Sequence, residues 1–325
     1  MKKALLIALV NIALLALLLA VTEFTLRALH IPYREDFTPS ENALARFDDE
    51  TGWSYIPGLS REISAGTGSI RIAFDRNGIR VPAAETLLSP TAPSVLFIGC
   101  SYTMGHGLNY EESFVGKFGK RVGNSYQMIN AGVQAYGTDQ ALLTLKRIAP
   151  QFNTRVVVYT FIEDHITRNG NYDRRYLYPE AKILGTKPLF VLDRDGALRL
   201  ARKPLRYPEY RNSYLYDLLR MKIEYALDLQ PPYPVDLTKA LIREMDRYCR
   251  ERGIAFVLLN WRWTEEDFDD FRELTAARID TLDGAPEGWA SMMLPGDVHP
   301  DENASSHAAG LLYGYFRKTG LLKGR

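Results

Sequence analysis

"SVLFIGCSYTMGHG", residues 94–107, decides how the rest of the chain is read. Its first six residues form a run of apolar and small side chains, the composition of a strand buried on both faces. Ser101 follows amid small residues, and Gly105 and Gly107 come soon after, so the chain turns as the strand ends. A serine in that place is either a nucleophile or a small residue that suits a turn, and the remaining sequence has to choose.

Outward from this stretch the pattern repeats. "YEESFVGKFGKRV" (110–122) sets Phe114, Phe118 and Val122 four apart on one helical face after acids in the first turn. "YQMINAGV" (126–133) is strand-like, and "GTDQALLTLKRIAP" (137–150) is a helix with Thr138 or Asp139 as its expected cap. "RVVVYTFI" (155–162) reads as a third buried strand, the helix "DLTKALIREMDRYCRER" (236–252) stops at Gly253, and "IAFVLLNW" (254–261) is a fourth strand. Strands alternating with helices predict an α/β protein, a doubly wound parallel sheet with right-handed crossovers. Ligands of such sheets bind beyond the carboxyl ends of the strands, where Ser101, the segment after "MIN", "EDH" (163–165) and "WRW" (261–263) would share one rim.

Three regions divide the chain. In residues 1–30, "MKK" precedes "ALLIALVNIALLALLLAV" (4–21), which only Asn11 interrupts. At about 1.5 Å per residue it extends about 27 Å, close to the hydrocarbon thickness of a bilayer. A cleaved secretory signal also begins with positive charge, but its apolar core is shorter and ends in an A-x-A-like site, which this run lacks. The expectation is an uncleaved single-pass anchor in the cytoplasmic membrane, lysines inside and the globular part outside, periplasmic in a Gram-negative cell. Residues 31–93 read as an irregular lead-in with a turn at "RNG" (76–78), and residues 94–325 as the main domain with an insertion at about 170–235. The insertion carries a hairpin pattern, "PLFVLDRDGALRL" (188–200), and interleaved Tyr172, Arg174, Arg175, Tyr176, Arg206, Tyr207, Tyr210 and Arg211. Such a surface suits an acidic glycan or ordinary packing, and a location outside the cytoplasm disfavours nucleic acid.

Composition excludes several classes. The 325 residues are 46% hydrophobic, enough for a full core, and 40 Lys+Arg against 39 Asp+Glu leave no field that would attract nucleic acid or anionic lipid. Cys100 and Cys249 imply no disulfide framework. No G-x-x-x-x-G-K-[ST] or G-x-G-x-x-G motif is present, metal-ligand spacing is absent, and Thr103 occupies the second glycine of the G-x-S-x-G elbow.

Near the C-terminus, "LPGDVHPDENASSHAAGLLYGYF" (294–316) sets Asp297 and His299 two apart in a loop, before a helix whose expected cap is Ser305 or Ser306. A histidine oriented by a carboxylate is what a serine hydroxyl needs to act as a nucleophile at neutral pH. His106, alone in a glycine-rich turn, reads as a surface or hydrogen-bonding residue, and Cys100 has no neighbour that would activate its thiol.

Together these motifs resemble the SGNH or GDSL hydrolases. "FIGCSYTMGHG" (97–107) is similar to their first block, "INAGVQAYG" (129–137) to their glycine block and "DVHP" (297–300) to the short form of their last, in the family's order. The resemblance, over roughly 94–318, implies a three-layer α/β/α flavodoxin-like fold. It implies Ser101 as nucleophile, His299 as base, Asp297 as its orienter, and the N–H groups of Ser101 and Gly132 as oxyanion donors. It also implies a serine esterase or acyltransferase without metal or organic cofactor, acting on acyl groups of a small molecule or, in this membrane-adjacent chain, an envelope glycan. The chain departs from the family pattern at Cys100, where the first block carries an acid. In the third block, "FIEDH" (161–165) offers Glu163 in place of an asparagine donor, and an ionised carboxylate would oppose an oxyanion. Asn169 is the expected substitute donor. Glu163, Asp164, His165, Trp261 and Trp263 are the candidate substrate-binding residues. The alternative is a catalytically silent glycan-binding or assembly protein on the same fold.

Overall fold

The computed structural model describes residues 2–29, 31, 44–65, 68–173, 185–206, 213–226, 234–261, 271, 274, 279–284 and 288–322. Helix α1 (Lys2–Ala28) has no buried residue and is long and apolar enough to cross a membrane. A two-stranded ribbon follows, β1 (Ala45–Asp48) with β2 (Gly52–Tyr55), then strands β3 (Ser60–Ala65), β4 (Gly68–Phe74) and β5 (Arg80–Val81). The alternating unit begins at β6 (Pro93–Ile98) and continues through α2 (Ser101–Met104), α3 (Phe114–Val122), β7 (Gln127–Asn130), α4 (Thr138–Ile148), β8 (Asn153–Phe161) and α5 (Asp164–Gly170). The hairpin β9 (Leu189–Leu192) with β10 (Leu198–Arg202) and helix α6 (Tyr214–Ala226) come next. The chain closes with α7 (Val235–Arg250), β11 (Ala255–Asn260), β12 (Asp280–Asp283) and α8 (Glu302–Lys318).

The main sheet has the order β12-β11-β8-β6-β7-β5-β4-β3. From β7 to β12 every pairing is parallel, whereas β5, β4 and β3 extend the sheet antiparallel. The central strand β6 feeds β7 on one side, and the chain then crosses to β8 on the other. This is a topological switch point, and the crevice beyond its carboxyl end is where such sheets bind ligands. Ser101 begins at that end.

Period-two alternation along β6 explains the layers. Val95 and Phe97 face a core closed by Phe114 and Phe118 of α3 and Leu312 and Phe316 of α8. Leu96 and Ile98 face the opposite core, with Leu142 and Leu145 of α4 and Leu241 and Met245 of α7. The rings of Phe118 and Phe316 meet edge to face at 4.9 Å, fixing α8 against α3.

Three local expectations need correction, and one strand has no counterpart among them. The segment taken as an irregular lead-in supplies three strands of the main sheet, because Ile70, Ile72 and Phe74 on β4 carry the alternation of a half-buried antiparallel strand. Helix α4 begins after Gly137, with Asn169 Oδ1 accepting from the Thr138 N–H at 2.8 Å, so its cap comes from another helix. Helix α8 is capped by Asp301, whose Oδ1 accepts from the N–H groups of Asn303 (2.8 Å) and Ala304 (2.9 Å), not by Ser305 or Ser306. The edge strand β12, "DTLD", has too few apolar residues to announce itself.

Candidate functional site

The site is assembled where two loops meet. Gly99 ends β6 at φ +144°, and a Cβ there would lie 2.4 Å from Thr103 Oγ1 and 2.7 Å from the Thr160 carbonyl. Only glycine fits, and the turn delivers Ser101 at the start of the four-residue helix α2, which Gly105 ends in a left-handed conformation. The second loop, residues 292–301, folds back on itself through Leu294 N–H to His299 carbonyl (2.9 Å) and Asp301 N–H to Met292 carbonyl (2.9 Å). Gly107 lets the loops touch, since a Cβ on it would sit 2.2 Å from Leu294 Cδ1. The Tyr102 hydroxyl ties them by donating to the Val298 carbonyl at 2.6 Å.

This docking aligns three side chains. His299 Nε2 lies 2.8 Å from Ser101 Oγ, and His299 Nδ1 lies 2.6 Å from Asp297 Oδ1. An ionised carboxylate can only accept, so Nδ1 carries the hydrogen and Nε2 presents its lone pair to the serine hydroxyl. The N–H groups of Val298 (2.6 Å) and His299 (3.2 Å) also donate to Asp297 Oδ1. Burial works to raise the Asp297 carboxyl, but the His299 hydrogen bond, the two nearby histidines and the Val298 N–H hold it below the usual carboxylate value. Burial is the largest influence on His299 and lowers it below the usual 6.5, with Asp297 opposing and Arg168 assisting. The imidazole is therefore neutral and able to accept a proton at pH 7.

For the oxyanion position, the Ser101 N–H opens α2 and has no acceptor within that helix. The Gly132 backbone packs on α2, where a Cβ would lie 2.6 Å from Met104 N, and its N–H donates to Asn130 Oδ1 at 3.2 Å. Gly132 serves an oxyanion only by sharing or releasing that long bond. Asn169 does not serve it. Its side chain is fully buried, accepting from Thr138 N–H and donating to Thr138 Oγ1 (3.0 Å) and Thr238 Oγ1 (2.8 Å), so it joins α4, α5 and α7.

The other singled-out residues separate. Glu163 is half-buried directly before α5 at the end of β8. Asp164 lies 3.8 Å from Arg168, and both act on the charge of His299. His165 is fully buried, with Nδ1 2.8 Å from the Tyr159 hydroxyl, and so cannot line a substrate rim. Trp261 is buried too. It packs edge-on to Tyr102 at 5.8 Å and against Phe114 at 5.6 Å, supporting α2 from below instead of offering a sugar-stacking face. Trp263 lies outside the described residues, as do Arg174, Arg175, Tyr176, Tyr207, Tyr210 and Arg211 of the insertion. Tyr172 is engaged within the insertion, donating to the Lys203 carbonyl at 2.8 Å with Arg202 over its ring. The Cys100 thiol is fully buried, and burial pushes its pKa up, so it is no nucleophile.

Arg80 has no signal in the sequence, and His106, read there as a surface or hydrogen-bonding residue, stands closer to the site than that reading implies. Arg80, fully buried on β5, donates to the carbonyls of Met104, Gly105 and Leu108, and burial lowers its pKa to about 10. It holds the loop after Ser101 from the antiparallel side of the sheet. His106 stands beside Asp297 and His299, its ring centroid 4.2 Å from that of His299 and its Nε2 3.4 Å from Asp297 Oδ2. By distance, His106, Asp297 and His299 could hold a metal ion, their ligand atoms lying within 4.8 Å of one another. Both nitrogens of His299 are already committed to Asp297 and Ser101, which suits proton transfer and not ligation.

No protein-family model matches the chain, and no curated protein matches it. Solved structures do. The chain is similar to TesA (14% identity, 69% of this chain and 98% of that one, TM-score 0.43). It is also similar to the psychrotrophic esterase EstA from Pseudoalteromonas sp. (12%, 71% and 98%, TM-score 0.43). A member of the lipolytic protein G-D-S-L family from Veillonella parvula is a third such structure (12%, 70% and 100%, TM-score 0.41).

Proposed function

We propose that this protein is a serine esterase or acyltransferase held at a membrane by α1, with its catalytic domain outside the cytoplasm. One observation carries the reading: Ser101 Oγ, His299 and Asp297 form a continuous hydrogen-bonded chain at 2.8 and 2.6 Å, on loops from opposite ends of the domain. A turn-filling serine has no need of such partners.

In this mechanism Ser101 Oγ attacks the ester carbonyl carbon while His299 Nε2 takes the hydroxyl proton. Asp297 keeps His299 in the required tautomer and stabilises the imidazolium. The Ser101 N–H donates to the developing oxyanion, joined by the Gly132 N–H as that group shares or releases its bond to Asn130 Oδ1. Collapse breaks the bond to the alcohol, which leaves with the proton from His299, and the acyl group remains on Ser101. Water, or a hydroxyl of an acceptor, then attacks the acyl-enzyme with His299 again as base. The acceptor decides between hydrolase and transferase.

An ester-linked acyl group on an envelope carbohydrate is the proposed substrate. Its support is the position next to the anchor and the Arg- and Tyr-rich insertion. Turnover of acetylated oligosaccharides against p-nitrophenyl acetate, both compared with Ser101→Ala, tests the activity and the preference. Higher kcat/KM on the glycan supports the carbohydrate assignment, and turnover of the simple ester alone removes it. Protease accessibility of the domain in sealed spheroplasts tests the location.

A further inference from the structure

The Asp297 carboxylate has two oxygens, and the mechanism above uses one. Asp297 Oδ1 accepts from His299 Nδ1 and from two backbone N–H groups, while Oδ2 faces His106 Nε2 at 3.4 Å. That distance is longer than an ordinary hydrogen bond, and such contacts shorten when charge develops in the reacting complex.

Everything around His106 fixes its tautomer and place. Gln134 Nε2 lies 2.6 Å from His106 Nδ1, and an amide nitrogen can only donate. Nδ1 is therefore an acceptor, and the ring hydrogen sits on Nε2, aimed at Asp297. Gln134 is itself clamped, its carbonyl accepting from Trp53 Nε1 at 2.9 Å and its N–H donating to the Tyr55 hydroxyl at 3.0 Å. The next residue, Ala135, has φ +62°, a left-handed conformation that a non-glycine residue adopts only under constraint. On the other side, Arg80 holds the carbonyls on either side of His106, at Gly105 and Leu108. A side chain left to solvent would need neither brace.

We infer that His106 is a positioning residue for Asp297: a neutral Nε2–H donor to Oδ2 that holds the carboxylate plane toward His299, so that His299 stays aimed at Ser101. The inference rests on the proposed Ser101–His299–Asp297 chemistry. Neutrality matters, because His299 becomes cationic during turnover with its ring 4.2 Å away, and a second cation there would oppose it. The groups facing His106 are Asp297 and His299 from the 292–301 loop, Arg80 from β5 and the uncharged Gln134 from the loop after β7. Burial, His299 and Arg80 all favour its neutral form, against Asp297.

The test uses the full chain in detergent micelles with His106→Ala and His106→Gln, the glutamine placing a neutral N–H near the Nε2 position. With p-nitrophenyl acetate, His106→Ala is expected to lower kcat about tenfold with KM little changed, the rate equivalent of one hydrogen bond to a charged group. His106→Gln should stay within about threefold of wild type. A loss confined to KM, or an equal loss of kcat in both variants, overturns the assignment.

A second readout does not depend on turnover. The chain has five histidines, so 15N-histidine NMR can follow each ring. His106 should show the Nε2–H tautomer, and His299 should titrate at higher pH in His106→Ala, because a carboxylate without its second donor holds the imidazolium more strongly. An unchanged His299 titration, or an Nδ1–H tautomer at His106, contradicts the proposal. Absence of Ser101-dependent turnover in wild type would count against the enzyme reading alone, leaving the NMR result to decide the role of His106.

Discussion

The Tyr102 hydroxyl donates to the Val298 carbonyl at 2.6 Å, joining the residue after Ser101 to the residue before His299 across 196 positions of sequence. Neither residue belongs to the proposed triad, yet the bond sets the distance between the two loops. Tyr102→Phe removes the donor and keeps the ring that packs on Trp261 and His299. We expect a stability loss of about 1 kcal/mol by urea denaturation, the typical net value of one hydrogen bond. A several-fold fall in kcat should accompany it, because a small displacement of His299 from Ser101 is costly.

Gly107 is the close-contact point of the same two loops. Gly107→Ala has to place a methyl group 2.2 Å from Leu294 Cδ1 at φ +73°, so the 292–301 loop moves or the turn is strained. A cost of about 1–2 kcal/mol follows from the backbone alone. The variant should melt lower and react more slowly with a serine-directed probe, and wild-type behaviour in both assays would show that the contact is not needed.

Asn169 separates a structural role from a catalytic one. As the cap of α4, its replacement by alanine should cost about 1–2 kcal/mol in urea denaturation and leave kcat nearly unchanged below the transition. An oxyanion donor would instead lose roughly a hundred- to a thousandfold in kcat with little effect on stability. The buried hydrogen bonds predict the first pattern.

Acidity should silence the site below the ordinary histidine range. His299 must be neutral to accept a proton, and its pKa is shifted down from 6.5, chiefly by burial. The kcat/KM profile should therefore rise with pH through a midpoint below 6.5 and be level near neutrality. A folded histidine with a lowered pKa binds fewer protons than the unfolded chain in that window, so stability also falls on acidification. Asp297, held low, loses its contribution in the same direction at lower pH. Dialysis against EDTA should leave the profile unchanged, since Asp297 and Ser101 occupy the two nitrogens of His299 and leave neither for a metal.

The parallel core was legible because β6, β8 and β11 are continuous apolar runs and the helices between them carry a clear apolar face. The pairing of Asp297 with His299 was legible because their spacing places both on one short loop. The antiparallel strands β3–β5 were not, since short alternating segments do not reveal which sheet they join. Arg80 and the place of His106 beside Asp297 were hidden for a related reason. Their partners, Asp297, Gln134 and the Met104, Gly105 and Leu108 carbonyls, come together through glycine turns and loop docking that residue type alone does not encode. His165 and Trp261 misled in the opposite way, polar or aromatic residues at a strand end whose side chains turn into the core.

Fluorophosphonate labelling of the chain, with Ser101→Ala and His299→Ala beside the wild type, shows whether Ser101 is activated by His299. Wild type should be labelled covalently at Ser101, Ser101→Ala should not be labelled, and His299→Ala should lose labelling while the fold persists. A folded wild type that is not labelled, or labelling that survives in Ser101→Ala, would contradict that activation.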